Sequence, residues 1–465
     1  MNTKLNTTKK KLCLVISSEL YVRNYIDSKV FEVIKNSYEI CILLNEEIRG
    51  AVLDNSRIYK YSIPKNDEKK HYELFNLLMW KHRKKSKSFS FRAKRVFGLN
   101  LQVSQNFGFL KKLKRKFGIF VTWFFNYFRL SILSLFPFYE IYIKLKSTNF
   151  GMNPSILEAL EKEEPSLVLI PCSAYDPVGD EVVLSAKKLG IKTFFLVDNW
   201  DNLSSKTIMR VFPDYLGVWG NQSLSHADKI QKFPKDKIVI IGTPRFEAYF
   251  SYRNLNLKSH FNFKYLLFVG TSLPFNEHKV LKCLDNIIKR NQSIFEGIKI
   301  VYRPHPWRLS GDIVSEDEFD NVVIDPQIKK NYLGGDKSVR FQPSLDYYPS
   351  LLKNCEFIVG GLTTMLMEGT IFYKKILVVA YGEENNLTSP KNVLENYTHF
   401  EGIEDLPNLE FLSYEDKLEQ QIINCLNTRN CINKDLIDQK REFFVYHSDQ
   451  GFASKLVNEI AKILK

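Results

Sequence analysis

Short apolar runs alternate with stretches of helical spacing along this chain, in two separate series. That alternation constrains the fold more than any other feature. Strands that read as continuous apolar runs are buried on both faces, which implies parallel sheets covered by helices. The first series predicts strands at 11–16, 39–44, 56–62, 167–171, 192–197, 215–219 and 237–241, and helices at 22–34, 155–163, 180–189 and 223–233. The second predicts strands at 266–269, 299–303, 357–359 and 376–379, and helices at 277–289, 348–353 and 364–370. A polar stretch at 242–259 is suited to be the hinge, and 439–465 is expected to be helical. The 465 residues suffice for two such units at about 100–200 residues each. The expected domains are 1–245 and 246–465, the second including the closing C-terminal helix.

The first series is interrupted by the segment that carries the charge. The chain holds 66 basic and 52 acidic residues, a formal charge of +14. Thirteen of the basic residues lie between Lys81 and Lys116, and no acid falls between Lys81 and Tyr139. Without those thirteen, 53 basic residues remain against 52 acidic ones. Ten aromatic residues follow, from Phe117 to Tyr139. A polybasic run beside Trp/Phe/Leu-rich sequence is expected to meet an anionic membrane surface, at about 1 kcal/mol per basic residue. The alternative is a solvated basic loop and a helix buried in its own domain. Asn126, Arg129 and Pro137 interrupt the roughly 20 apolar residues that a spanning helix needs. No nucleic-acid-binding motif accompanies the charge, so nucleic acid is not an expected partner. Seven scattered cysteines with no C-x-x-C suit a reducing cytosol. The apolar run 12–16 is too short for a secretory signal. The expected location is therefore cytoplasmic, peripheral to the inner face of the plasma membrane.

Several chemistries lack their motifs: there is no G-x-G-x-x-G, Walker A, H-E-x-x-H, G-x-S-x-G or D-x-D, and the eight histidines show no metal-ligand spacing. The second series is richer. Arg303, His305 and Arg308 gather three phosphate-capable donors at a strand's carboxyl end, where open α/β sheets bind ligands. Pro304 and Pro306 hold the backbone around His305 extended. Gly360-Gly361 ends another strand, and Thr363 and Thr364 open the next helix, whose free N–H groups suit an anion. Glu368, one turn on, fits either a ribose-binding carboxylate or a buried capping acid. Gly270, Thr271 and Ser272 form a third strand-to-helix loop, with capping as its alternative role.

In the first series Asp198, Asn199, Trp200, Asp201, Asn202, Ser204, Ser205 and Lys206 follow a strand. Trp200 could stack on a sugar while Asn202, Ser204 and Lys206 bind its hydroxyls, or the run could cap the next helix as an Asx network. If a carboxylate deprotonates an acceptor hydroxyl, Asp198, Asp201 and Glu19 are the candidates, in that order.

The order G-T-S loop, H-P loop and G-G-x-T-T-x-x-x-E resembles the C-terminal domain of GT-B glycosyltransferases of bacterial surface polysaccharide synthesis, such as capsule or O-antigen. The H-P loop and hydroxyl pair are similar to those of bacterial sialyltransferases, Kdo transferases and CDP-glycerol glycerophosphotransferases. Val239-Ile-Ile-Gly-Thr-Pro-Arg245 resembles the segment by which GT-B chains leave their first domain. The resemblance implies two Rossmann-like domains around a cleft, with a nucleotide-sugar donor on the second and a glycan or lipid-linked acceptor on the first. His305 would contact the donor phosphate, and Thr363 and Thr364 the phosphate or ribose. Thr-Thr stands where sialyltransferases have Ser-Ser or Ser-Thr, and Gly179-Asp-Glu181 reverses their acidic motif. The reaction expected is sugar transfer without metal or cofactor beyond the nucleotide-sugar. The rivals are glycerophosphotransfer, nucleotide-sugar 2-epimerisation and a non-catalytic membrane-associated assembly role.

Overall fold

The computed structural model describes residues 9–48, 57–97, 109–147, 152–273, 275–306, 314–334, 344–384 and 386–465. Each series of apolar runs forms one parallel sheet. The first contains β1 (Lys11–Ile16), β2 (Glu39–Asn45), β3 (Arg57–Tyr61), β4 (Leu167–Cys172), β5 (Lys192–Val197), β6 (Tyr215–Val218) and β7 (Ile238–Ile240), in the order β3-β2-β1-β4-β5-β6-β7. The second contains β8 (Lys264–Val269), β9 (Ile298–Arg303), β10 (Val322–Ile324), β11 (Ile358–Gly360), β12 (Ile376–Val379) and β13 (Leu409–Leu412), in the order β10-β9-β8-β11-β12-β13. Every pairing is parallel. Strand β4 is buried along its whole length, as a central strand covered on both faces must be.

Strand order reverses between β1 and β4 in the first sheet and between β8 and β11 in the second. Loops leaving such a switch point splay apart and open a crevice at the strands' carboxyl ends. Both crevices border the same cavity between the sheets.

Three segments depart from expectation. The 242–259 stretch is not a loose hinge: Pro244–Phe246 makes a short turn and Glu247–Tyr252 a helix. Phe246, Tyr249 and Phe250 recur at helical spacing and are buried in a core shared with residues of the second sheet. The last helical stretch divides into Lys434–Arg441 and Gly451–Ile463. The second of these packs Phe452, Leu456 and Ile460 with Val30 and Phe31 of the Lys29–Ser37 helix. The chain's end thus returns to the first sheet. Third, the charged insertion is helical, with Lys87–Phe97, Phe109–Leu133 and Phe138–Ser147 following the Lys65–Lys81 helix. Asn126 and Arg129 sit within the Phe109–Leu133 helix. Strands β10 and β13 were unforeseen because runs of three and four residues give little periodicity.

The adjacent glycines serve close packing. Gly360 pairs with Val269 across β11 and β8, and a Cβ there would collide with the Val269 carbonyl oxygen. A Cβ on Gly361 would lie 2.6 Å from Thr271 Cγ2 and 2.8 Å from Phe275. The glycines therefore let neighbouring loops meet, where the sequence suggested phosphate access. Backbone cannot yield cheaply, so Gly360→Ala is expected to destabilise the fold by about 1–3 kcal/mol. A shift in the urea midpoint reads this directly, and an unchanged midpoint refutes it.

Candidate functional site

A cavity of about 550 Å³ lies between the sheets. From the first domain it is lined by Leu20 and Arg23 after β1, Ala174 after β4, and Asn199, Trp200, Asp201, Ser205 and Lys206 after β5. From the second come Gly270, Ser272 and Leu273 after β8, Pro304–Pro306 after β9, and Leu362–Met365 after β11. Arg92 and Arg95 enter from the Lys87–Phe97 helix, and Tyr397, His399 and Phe400 close another side.

The second-domain wall keeps its expected hydroxyls. Thr363 and Thr364 line the cavity, and neither side chain makes a hydrogen bond among the described residues; Thr364 precedes the Met365–Ile371 helix without capping it. Ser272 is exposed to the cavity and His305 faces it. Gly270 is wedged in: an added Cβ would lie 2.7 Å from Glu277 Oε2 and 3.1 Å from the His305 nitrogen. Thr271 is buried, its hydroxyl donating to the Leu273 carbonyl at 2.5 Å and its N–H to Glu277 at 3.0 Å. Arg308 lies outside the described residues.

Two expected donor-site roles are corrected. Arg303 borders the cavity but is buried and ion-paired to Asp325, with a second bond to Gln327 at 2.9 Å. Tyr348 and Asp325 outweigh the burial that works against its charge. Glu368 is fully buried and off the lining: Arg245 donates to one oxygen at 2.5 Å, and Tyr249 to the other at 3.2 Å. A carboxylate so engaged and fully buried serves the junction of the domains and does not reach the cavity where a ribose would lie.

The loop after β5 likewise divides between core and cavity. Asp201 lines the cavity and pairs with Lys206 at 3.0 Å. Trp200 borders it, but its indole N–H donates to Gln222 at 2.7 Å and its ring is packed edge-on against His399, Phe400 and Phe444. That packing removes the stacking face the sequence suggested for a sugar. Asn202 is turned inward, donating to the Cys172 carbonyl at 2.6 Å and accepting from Thr207. Ser204 is fully buried. Neither reaches the lining.

Among the three candidate bases, only Asp201 reaches the cavity, where it is the one carboxylate among the lining residues. Glu19 is half-buried in the first turn after β1 and off the lining. Asp198 is 1% exposed; Asn24 donates to one oxygen at 2.8 Å, and the other has no partner among the described residues. Burial pushes its carboxyl up to about 7, although Asn24 and Arg23 oppose the shift.

Against this single acid stand Arg23, Arg92, Arg95, Lys206, Arg245 and Arg303. Burial and then the neighbouring Arg245 lower the pKa of Arg23; Glu368 holds that of Arg245 up against its burial. Sequence reading missed the arginines of the first wall because Arg23 lies in a helical turn after β1. Arg92 and Arg95 looked like members of a surface patch. Among the described residues, no group of three or more His, Cys, Asp or Glu could hold a metal ion.

No protein-family model matches the chain, and neither does any curated protein. Solved structures do. One assigned as a UDP-N-acetylglucosamine 2-epimerase from Listeria monocytogenes aligns with TM-score 0.51 at 11% identity, over 98% of this chain and 97% of that one. The wall teichoic acid polymerase TagF aligns with TM-score 0.49 at 11% identity, over 98% and 88%. A glycosyltransferase from Rickettsia africae gives 0.43 at 14%, over 98% of each chain. The likeness is one of fold: two parallel-sheet α/β domains around a cleft, the GT-B arrangement.

Proposed function

We propose that this chain is a glycosyltransferase that moves a sugar from a nucleotide-activated donor to a surface-polysaccharide or lipid-linked glycan acceptor. One observation carries the reading. The cavity sits where two switch points face each other, with hydroxyls and a histidine on one wall and six basic side chains around it, of which Arg245, Arg303 and Lys206 are paired with acids. Its volume suits a ligand of nucleotide-sugar size, and its charge suits a diphosphate. Ser272, His305, Thr363 and Thr364 take the nucleotide and its phosphates. Asp201 accepts the proton of the attacking acceptor hydroxyl. The surrounding cations stabilise the departing phosphate in the role a metal fills elsewhere.

Thermal unfolding with CMP, CDP, UDP, GDP or TDP, each with and without EDTA, tests this. One nucleotide should stabilise the protein by about 2.7 kcal/mol at a hundredfold excess over its Kd, unaffected by EDTA. His305→Ala should abolish that shift. If none of the five nucleotides stabilises the chain, the reading fails. Conversion of a UDP-sugar to its 2-epimer with no acceptor present would favour the epimerase instead.

We also place the protein at the inner face of the plasma membrane. No single helix among the described residues is long and apolar enough to cross a membrane, while Leu113–Leu133 and Phe138–Lys146, bent by 96°, together have the length and composition of a broken span or re-entrant loop. The Phe109–Leu133 helix, the Phe138–Ser147 helix and the turn between them expose aromatics, with Phe117 68%, Phe125 67% and Phe136 83% accessible. Lys114, Arg115 and Lys116 are exposed beside Phe117. Aromatic insertion next to cations suits an anionic interface. Phe117→Ser, Phe125→Ser and Phe136→Ser combined should abolish sedimentation with phosphatidylglycerol liposomes; undiminished sedimentation refutes this anchor.

A further inference from the structure

We propose that the acceptor is itself anionic, a chain bearing phosphodiester or carboxylate groups, and that Arg92 and Arg95 hold that charge in the cavity. The proposal rests on the transferase reading and names the substrate class its first-domain wall selects. Three of the six lining cations already have acids: Arg245 has Glu368, Arg303 has Asp325 and Lys206 has Asp201. Arg92 and Arg95 bond only neutral oxygens among the described residues. Arg92 donates to the carbonyls of Ser205 at 2.9 Å and Lys206 at 3.3 Å, and Arg95 to the Tyr397 hydroxyl at 2.9 Å.

The arrangement opposes itself unless an anion completes it. Residues three apart share a helix face, so two arginines there repel by a few tenths of a kcal/mol, roughly. Burial lowers the pKa of Arg92, a sign that its charge is poorly solvated. The helix is nevertheless pinned between the domains. The Thr398 N–H donates to Ser88 Oγ at 2.7 Å, the Ser86 and Thr398 hydroxyls are 3.0 Å apart, and Lys87 pairs with Glu401 at 3.0 Å. Two guanidinium forks held rigidly in a cavity are suited to bidentate capture of phosphate or carboxylate. A neutral glycan would call for the reverse: carboxylates and open aromatic faces. This wall offers one acid, and its tryptophan is packed away.

Titration calorimetry on the full chain, with and without the stabilising nucleotide, uses three length-matched probes: oligo(glycerol phosphate), oligogalacturonate and a neutral maltooligosaccharide. At least one anionic probe should bind, with affinity falling as salt rises, and the neutral one should not. Comparison of the two anions separates a phosphodiester acceptor from a carboxylate one. Arg92→Gln with Arg95→Gln should weaken the anion about tenfold or more and the nucleotide by clearly less, since Ser272, His305, Thr363 and Thr364 on the opposite wall are intact. Arg92→Lys with Arg95→Lys, which keeps the charge and loses the fork, should fall between and guards against misfolding. Equal binding of the neutral probe, no binding of either anion, or undiminished anion binding by the Gln pair overturns the proposal. Failure of every nucleotide to bind counts against the transferase reading instead, while the nucleotide-free titrations still decide the arginine site.

Discussion

Asp201→Asn should slow sugar transfer by roughly 10²–10⁴-fold and leave the nucleotide-induced thermal shift intact. A general base must first lie within reach of the proton it takes, and only then does its pKa matter. Asp201 is the one carboxylate among the residues lining the cavity. It stands on the first-domain wall, across from the hydroxyls and His305 assigned to the nucleotide. Its pairing with Lys206 is partly exposed, 38% for the lysine and 20% for the acid, so losing it should cost stability only about 0–1 kcal/mol. A lost rate in this variant therefore reports chemistry and not unfolding. Single-turnover measurement with saturating donor separates the two. If the variant transfers at the wild-type rate, Asp201 is not the base and the proposed division of the walls is wrong.

The residues that could be read from sequence were those whose role is set by local geometry. Strand runs such as Leu167–Cys172 are apolar because both faces are covered, and their ends fix which loops meet at the switch points. Thr363, Thr364, Ser272 and His305 follow directly from such ends, and all four face the cavity. Glu368 and Arg303 were misread because local sequence does not show a partner on another element, 123 residues away for Glu368 and 22 for Arg303. Arg245, which engages Glu368, is 123 positions upstream, and Arg303 is taken by Asp325 in a strand turn too short to foresee. Asn202 and Ser204 fail for a related reason. A polar run after a strand can face solvent or satisfy the core, and the Cys172 carbonyl draws Asn202 inward. The largest surprise is the basic segment. Its charge reads as one patch in sequence, yet helix periodicity turns Arg92 and Arg95 into the cavity while Phe89 and Phe91 bury beside them. Composition reports charge; only packing divides it between a surface and a site.

Asp198→Asn should have the opposite signature from Asp201→Asn: transfer largely kept, stability raised above neutral pH. Asp198 is buried off the cavity, with one carboxylate oxygen lacking a partner among the described residues, as does the hydroxyl of Tyr25. Burial pushes its carboxyl up to about 7 in the folded chain, against about 3.9 for an unperturbed aspartate. Between those values the folded state binds more protons than the unfolded state. Stability therefore falls as pH rises through that window, by up to about 4 kcal/mol for this one group. Asparagine carries no charge to desolvate. Its oxygen can accept from Asn24 as Asp198 does now, and its amide can donate to Tyr25. At pH 8 the variant should exceed the wild type by about 2–4 kcal/mol, and near pH 4 the two should converge. Urea midpoints at pH 5, 6, 7 and 8 measure this difference. Parallel profiles would show that burial is not what sets this carboxyl. A collapse of transfer in Asp198→Asn, with Asp201→Asn active, would make the buried acid the base and require the β5 loop to open during catalysis.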